Sequence, residues 1–168
     1  MDIKFSDVIA AISMVVSVGA MYFAKASSKK ANSIAQENLN LQNAMVETGI
    51  SQSIEGAKAK INEVSLVMVP LVARENADNL SVEDAASLVL FRKIMASAVQ
   101  SLVNHYDFAC SKYIDGKVDK IRFKKSYRTE IRQLVEKEDL KEHFNPVTTT
   151  YKPILMVYKE WEDLESQS

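Results

Sequence analysis

Histidine occurs twice and cysteine once in 168 residues, so the chain has no set of paired thiols for a structural zinc and no internal disulfide framework. Glycine (4) and proline (3) are also scarce, which argues against glycine-rich phosphate loops and against the many tight turns of a β-sandwich. Neither sign of charge dominates. With 21 basic and 22 acidic side chains and a net charge of -1, the protein is not a globally basic nucleic-acid coat, although local basic faces remain open to it. What is there, 47% hydrophobic and 26% charged residues with few breakers, suits long helices joined by few connections, and the length allows one modest domain plus an accessory segment.

Val8 to Ala24 (VIAAISMVVSVGAMYFA) is an uncharged run between Asp7 and Lys25. As a helix it reaches about 25 Å, the short end of a bilayer span, and Phe5 and a snorkelling Lys25 extend it. The expectation is a transmembrane helix. A cleaved signal peptide competes, because Ala24-Lys25-Ala26 before Ser27 has the small-x-small form. Against cleavage stand Asp2 and Asp7 in the leader and the length of the apolar run. A buried soluble helix is the third reading, and a chain this short offers little core to cover one. Lys25, Lys29 and Lys30 follow the run while only Lys4 and the amino terminus precede it, which puts the C-terminal body in the cytoplasm by the positive-inside rule.

Within the run, Ser6, Ala10, Ser13, Ser17, Ala20, Ala24 and Ser27 recur at alternating spacings of four and three, a single narrow helix face. Small residues there allow close helix approach, so Ala10, Ser13, Ser17, Ala20 and Ala24 are the candidate association face, with a left-handed crossing expected from the 3.5-residue period. The spacing continues through Ala31, Ile34, Leu41 and Met45 into a helical stalk, and Asn38 between Ile34 and Leu41 weakens the stripe while helping to fix its register. Past Gly49 a shifted seam of Ile50, Ile54, Ala57, Ile61, Val64, Met68 and Leu71 fits either a coiled coil between chains or packing on later helices of the same chain.

Pro70 is expected to kink or end that helix. Ser81 with Glu83 and Asp84 reads as the start of a long helix over 82–114, with a stripe of Leu88, Phe91, Met95, Ala98, Leu102, Tyr106, Ala109 and Tyr113 and a stop at Asp115-Gly116. A third helix over 119–135 presents Phe123, Tyr127, Ile131 and Leu134 inward, a short acidic helix covers 138–144, and the β-branched run 147–151 is expected to be extended. Pro153 opens a last helix carrying Ile154, Val157, Tyr158 and Trp161. The expected fold is all-α: an external N-terminus (1–7), a transmembrane helix (8–24), a helical stalk or coiled coil (25–73) and a small cytoplasmic helical bundle (74–168).

Candidate chemistry is sparse. Cys110 and His105, five apart on one helix, lie about 140° apart around its axis and cannot form a nucleophile pair. Glu136, Glu138 and Asp139 sit among lysines as solvated acids do, and no G-x-S-x-G or H-E-x-x-H motif occurs. The expectation is therefore no enzyme, no cofactor and no metal. The functional-looking surface is basic: Lys120, Lys124, Arg128 and Arg132 stand four apart as a docking ridge beside the Phe123/Tyr127/Ile131 stripe. Its partner is weighed among the acidic C-terminal segment of the same chain, an anionic lipid leaflet and, least favoured, nucleic acid.

The stretch LVNHYDFACSKYIDGKVDKIRFKKSYRTEIRQLVE from Leu102 to Glu136, followed by YKPILMVYKEW from Tyr151 to Trp161, resembles the C-terminal helical domain of uncharacterised bacterial proteins that begin with one membrane span. These are accessory or mobile-element proteins, a setting that includes phage defence. The resemblance implies a bacterial inner membrane and carries no site residues across. Three functions follow as expectations: a self-associating membrane scaffold with an unidentified cytoplasmic partner, a membrane effector or exclusion factor in phage defence, or an exported helical protein after cleavage.

Overall fold

The computed structural model describes the backbone of residues 5–163 and the side chains of residues 20–162. Its elements are helical throughout: α1 (Phe5–Asn76), α2 (Val82–Ile114), α3 (Lys120–Glu136), a 3-10 helix (Glu138–Phe144) and α4 (Lys152–Asp163). The chain divides after Gln42 into two units. In the first, the described side chains 20–42 are all exposed.

The second unit begins at Asn43 and takes in the seam past Gly49. Ile50 and Ile54 are buried in the same cluster as Tyr106, Tyr113, Phe123 and Trp161, so this part of the seam packs on its own chain. Ala57, Val64 and Leu71 continue the buried side of α1. Glu47 fastens the segment to α3, accepting from the backbone N–H of Asp119 at 2.7 Å and pairing with Arg122 at 2.9 Å.

Pro70 does not end α1, which runs on through it to Asn76. The missing N–H faces the carbonyl of Leu66, and both residues lie on the exposed side of the helix, where water can serve that carbonyl. Beyond the proline, Leu71 is buried and two ion pairs to α2, Arg74–Asp84 at 3.2 Å and Glu75–Arg92 at 2.6 Å, hold the last turns in place. Tertiary attachment overrides the local break.

The ends of α1 and α2 share one device. After α1 the N–H of Asn79 reaches Arg74 O (3.0 Å) and that of Asp78 reaches Glu75 O (3.1 Å), with Asp78 at φ 51°. After α2 the N–H of Lys117 reaches Lys112 O and that of Gly116 reaches Tyr113 O, with Gly116 at φ 66°. Both are Schellman caps, with the left-handed position filled once by glycine and once, at a steric cost, by aspartate. The other end of α2 is capped by Ser81, whose hydroxyl accepts from Asp84 N at 3.0 Å.

Around the middle and end of α2 the bundle closes. Its predicted stripe is buried or half-buried, and Val103 and Cys110 off the stripe are buried too, because α3 and α4 both pack on this helix. Trp161 donates its indole N–H to the Tyr113 hydroxyl at 3.1 Å, and the two rings meet edge-on at 5.5 Å. The segment 147–151, expected to be extended, is a turn. Asn145 Oδ1 accepts from Val147 N at 3.0 Å, and the buried Thr149 donates to His143 O and accepts from Tyr151 N, so local side chains satisfy the backbone without a strand partner.

Candidate functional site

The candidate association face lies on α1. Ala10, Ser13 and Ser17 have side chains outside the described residues, whereas Ala20 and Ala24 are exposed. Farther along the same stripe Ser27, Ala31 and Asn38 are exposed, as are Ile34 (49%) and Leu41 (63%). On the opposite side Gln36 donates to Asn40 at 3.2 Å.

The basic ridge keeps its order on α3, and its C-terminal half is turned to its own chain. Arg128 and Arg132 reach the same carboxylate, Glu162 of α4, at 3.7 and 3.8 Å. Arg132 also binds Glu136 at 3.1 Å, and Tyr158 donates to that same oxygen at 2.9 Å. Glu162 thus lies within ion-pair distance of both guanidinium groups, while the closer bond of Arg132, a side chain 48% exposed, is to Glu136. At the other end, Lys120 lies over the ring of Tyr113 at 4.9 Å, next to Ile121, which is almost wholly exposed. Lys124 is half-buried between these two ends.

A polar cluster invisible in the sequence joins three helices beside the core. Tyr106 of α2, buried, donates its hydroxyl to Glu130 of α3, and Lys58 of α1 donates to the other oxygen of Glu130 at 2.7 Å and to Glu55 at 3.0 Å. Burial, together with the adjacent Glu130 carboxylate, raises the Tyr106 phenol far above its ordinary range and keeps it a donor. A cleft of about 360 Å³ opens over this cluster, with Ile61, Val99, Leu102 and Leu140 as apolar walls. These residues are contributed by three helices, and the one trace in the sequence is an acid, Glu130, set between the cations Arg128 and Arg132.

A second cleft of about 390 Å³ lies between α1 and α2 near their connection, bounded by Met68, Val69, Val72 and Met95. By length and composition α2 is, among the described residues, a helix long and apolar enough to cross a membrane. Its second half supplies Val103, Tyr106, Ala109, Cys110 and Tyr113 to the core.

The sparse catalytic candidates gain nothing from the fold. Cys110 is fully buried, and burial, with Asp107 adding to it, drives the thiol far above its ordinary range, so it is neutral at pH 7. Among the described residues no three histidine, cysteine or acidic side chains converge as metal ligands would. Asp107 itself serves α4: its Oδ1 accepts from Ile154 N, an N–H of the first turn, at 3.4 Å. No family model matches the chain, and no curated protein or solved structure matches it either.

Proposed function

We propose that the protein is a non-enzymatic, single-pass scaffold of a bacterial inner membrane that self-associates through α1 and presents its helical body to a cytoplasmic partner. The observation that carries this reading is the contrast along one helix. From Asn43 onward the inner side of α1 is built into a packed body, whereas residues 20–42, adjoining the uncharged run 8–24, expose every side chain, large apolar ones included. A helix with an unpartnered apolar stripe next to a bilayer-length uncharged segment suits an anchor and an association stalk. The α2 helix is long and apolar enough to span, and only 17% of its apolar window is buried, but its second half from Val103 to Tyr113 is built into the core, which favours the run 8–24 as the anchor. For docking, the exposed Lys120 and Ile121 end of the ridge is favoured over Arg128 and Arg132, whose charge Glu162 already meets.

The test is alkaline carbonate extraction of the tagged full-length protein and of a variant lacking 8–24, with protease protection of a C-terminal tag in spheroplasts. The full chain is expected in the membrane pellet at full mass with its tag protected, and the shortened chain in the supernatant. Retention of the shortened chain would transfer the membrane role to α2. A processed or externally digested protein would favour export. Ser13→Leu with Ser17→Leu is expected to reduce the oligomer mass in detergent, and an unchanged mass would remove the small face from the reading.

A further inference from the structure

We infer that the cleft over Tyr106, Glu130 and Lys58 is a binding site for a small monocarboxylate with an apolar body, its chain lying between the helices and its carboxylate held by Lys137 and Lys58. The site is independent of the anchoring and self-association proposed above, since every residue that forms it belongs to the packed body.

The cleft has the make-up of a ligand pocket. Ile61 of α1, Val99 and Leu102 of α2, Leu134 of α3 and Leu140 of the 3-10 helix give it apolar walls from four elements. Against these walls Tyr106, Glu130 and Lys58 converge, already fixed by bonds to one another. Apolar walls with a few convergent polar groups are the usual composition of a small-molecule site. The volume, about 360 Å³, is at the small end of that class and more than twice the roughly 150 Å³ that admits a benzene ring. It suits a short chain, or one ring on a short arm, and is too small for a partner's helix.

Charge and hydrogen-bonding capacity select the head group. Among the lining side chains Lys58 and Lys137 are cationic and Glu130 alone is anionic, which leaves one positive charge for the occupant to meet. Each oxygen of Glu130 already accepts a bond, one from the Tyr106 hydroxyl and one from Lys58, so a cationic head would compete with groups held in place. Donors are in surplus. An ammonium carries three N–H groups, and Lys58 spends two of them on Glu130 and Glu55.

Lys137 has more to give. Its ion pair with Asp139 is 3.9 Å long, beyond hydrogen-bond distance, and the two side chains are 62% and 82% exposed, so water screens that attraction and the ammonium is open to a better partner. The exposed Gln133 adds an amide donor to the same lining. A carboxylate accepts charge-assisted bonds from both ammonium groups at once, while burial of its hydrocarbon part supplies the driving force. An occupant seated this way touches α1, α2, α3 and the 3-10 helix together.

Equilibrium dialysis of radiolabelled hexanoate against the full-length protein in lipid nanodiscs, with uptake by empty nanodiscs subtracted, tests the site. Saturable uptake approaching one hexanoate per chain is expected, with hexanol and hexylammonium competing at least tenfold less well than unlabelled hexanoate. Lys137→Gln, a change at an exposed side chain, is expected to weaken binding at least fivefold, and Lys137→Arg to keep it. Val99→Phe fills the cleft from a half-buried wall and is expected to abolish uptake, with Trp161 fluorescence reporting that the variant is folded. No saturable uptake would overturn the site. Competition by hexanol or hexylammonium equal to that by hexanoate would overturn the carboxylate assignment. Uptake unchanged in Lys137→Gln, or in a folded Val99→Phe, would place the binding elsewhere and overturn the proposal.

Discussion

Glu130 should matter far more than the ion pair it forms. Lys58 and Glu130 side chains retain 31% and 36% of their exposure, so their attraction is largely screened, and removing Lys58 leaves Glu130 still bonded to Tyr106. Lys58→Met is therefore expected to cost about 0.5 kcal/mol. Glu130→Leu removes a charge-assisted bond and strands the hydroxyl of Tyr106, a residue buried at the contact of α2 with α3, for about 2–3 kcal/mol. Tyr106→Phe takes away donor and need together and is expected to cost about 1 kcal/mol. In the Tyr106→Phe background, Glu130→Leu should then cost about 1 kcal/mol or less, a coupling of about 1–2 kcal/mol between the two side chains. Urea unfolding of the detergent-solubilised full chain measures this, read by the fluorescence of Trp161, the single tryptophan, which is buried against Tyr113. The Glu130→Leu midpoint is expected to fall by about 1 M urea. Equal losses for Lys58→Met and Glu130→Leu, or additive losses in the cycle, would refute the reasoning and assign the energy to the ion pair.

Asp78→Gly should raise stability by about 1 kcal/mol, because it removes a side chain from a left-handed position while keeping the cap, and Gly116→Ala should lower it by a similar amount. Thermal unfolding of the two variants shifting in the same direction would contradict the shared-cap account. Asp107 offers a pH test of unusual sign. Burial, partly opposed by the Ile154 N–H, holds its carboxyl above the ordinary 3.8, so its favourable contribution is complete below that value and is lost as pH rises through the raised one. Asp107→Asn keeps an oxygen for Ile154 without the ionisation. It should therefore gain on the parent as pH rises above the ordinary carboxylate value, and a difference in stability that stays constant as pH rises would refute this.

The helix order and several ends were legible because they are local chemistry. Ser81 and Gly116 bracket α2, and Asp119 opens α3 by accepting from Arg122 N at 2.9 Å. The stripes of α2 and α3 likewise follow from period alone. What period cannot supply is how many sides of a helix are covered: Val103 and Cys110 are buried because α2 has neighbours on more than one face. Pro70 misleads for the same kind of reason, since the ion pairs beyond it depend on residues of α2 that a local rule does not weigh. The basic ridge was visible as a charge pattern, and the acidic segment weighed as its partner supplies Glu162. The Tyr106, Glu130 and Lys58 cluster has no spacing to read, because it exists only when three helices meet.

The two parts of α1 are energetically linked through helix cooperativity. Starting a helix is costly and extending one is cheap. The body fixes α1 from Asn43 to Asn76 through Ile50, Ile54, Leu71, Glu47 and Lys58, so residues 20–42 extend an existing helix. Their weak intrinsic propensity then needs offsetting only residue by residue, and the proposed self-association would start from a face that is already partly ordered, which lowers its conformational cost. The coupling runs in both directions. If the chain self-associates as proposed, loosening the attachment at Glu47 or Lys58 should weaken association of a stalk that neither residue touches. A stalk folding independently of the body would show no such dependence, and the contrast between Glu47→Ala and an exposed control such as Lys125→Ala in the detergent mass profile separates the two cases.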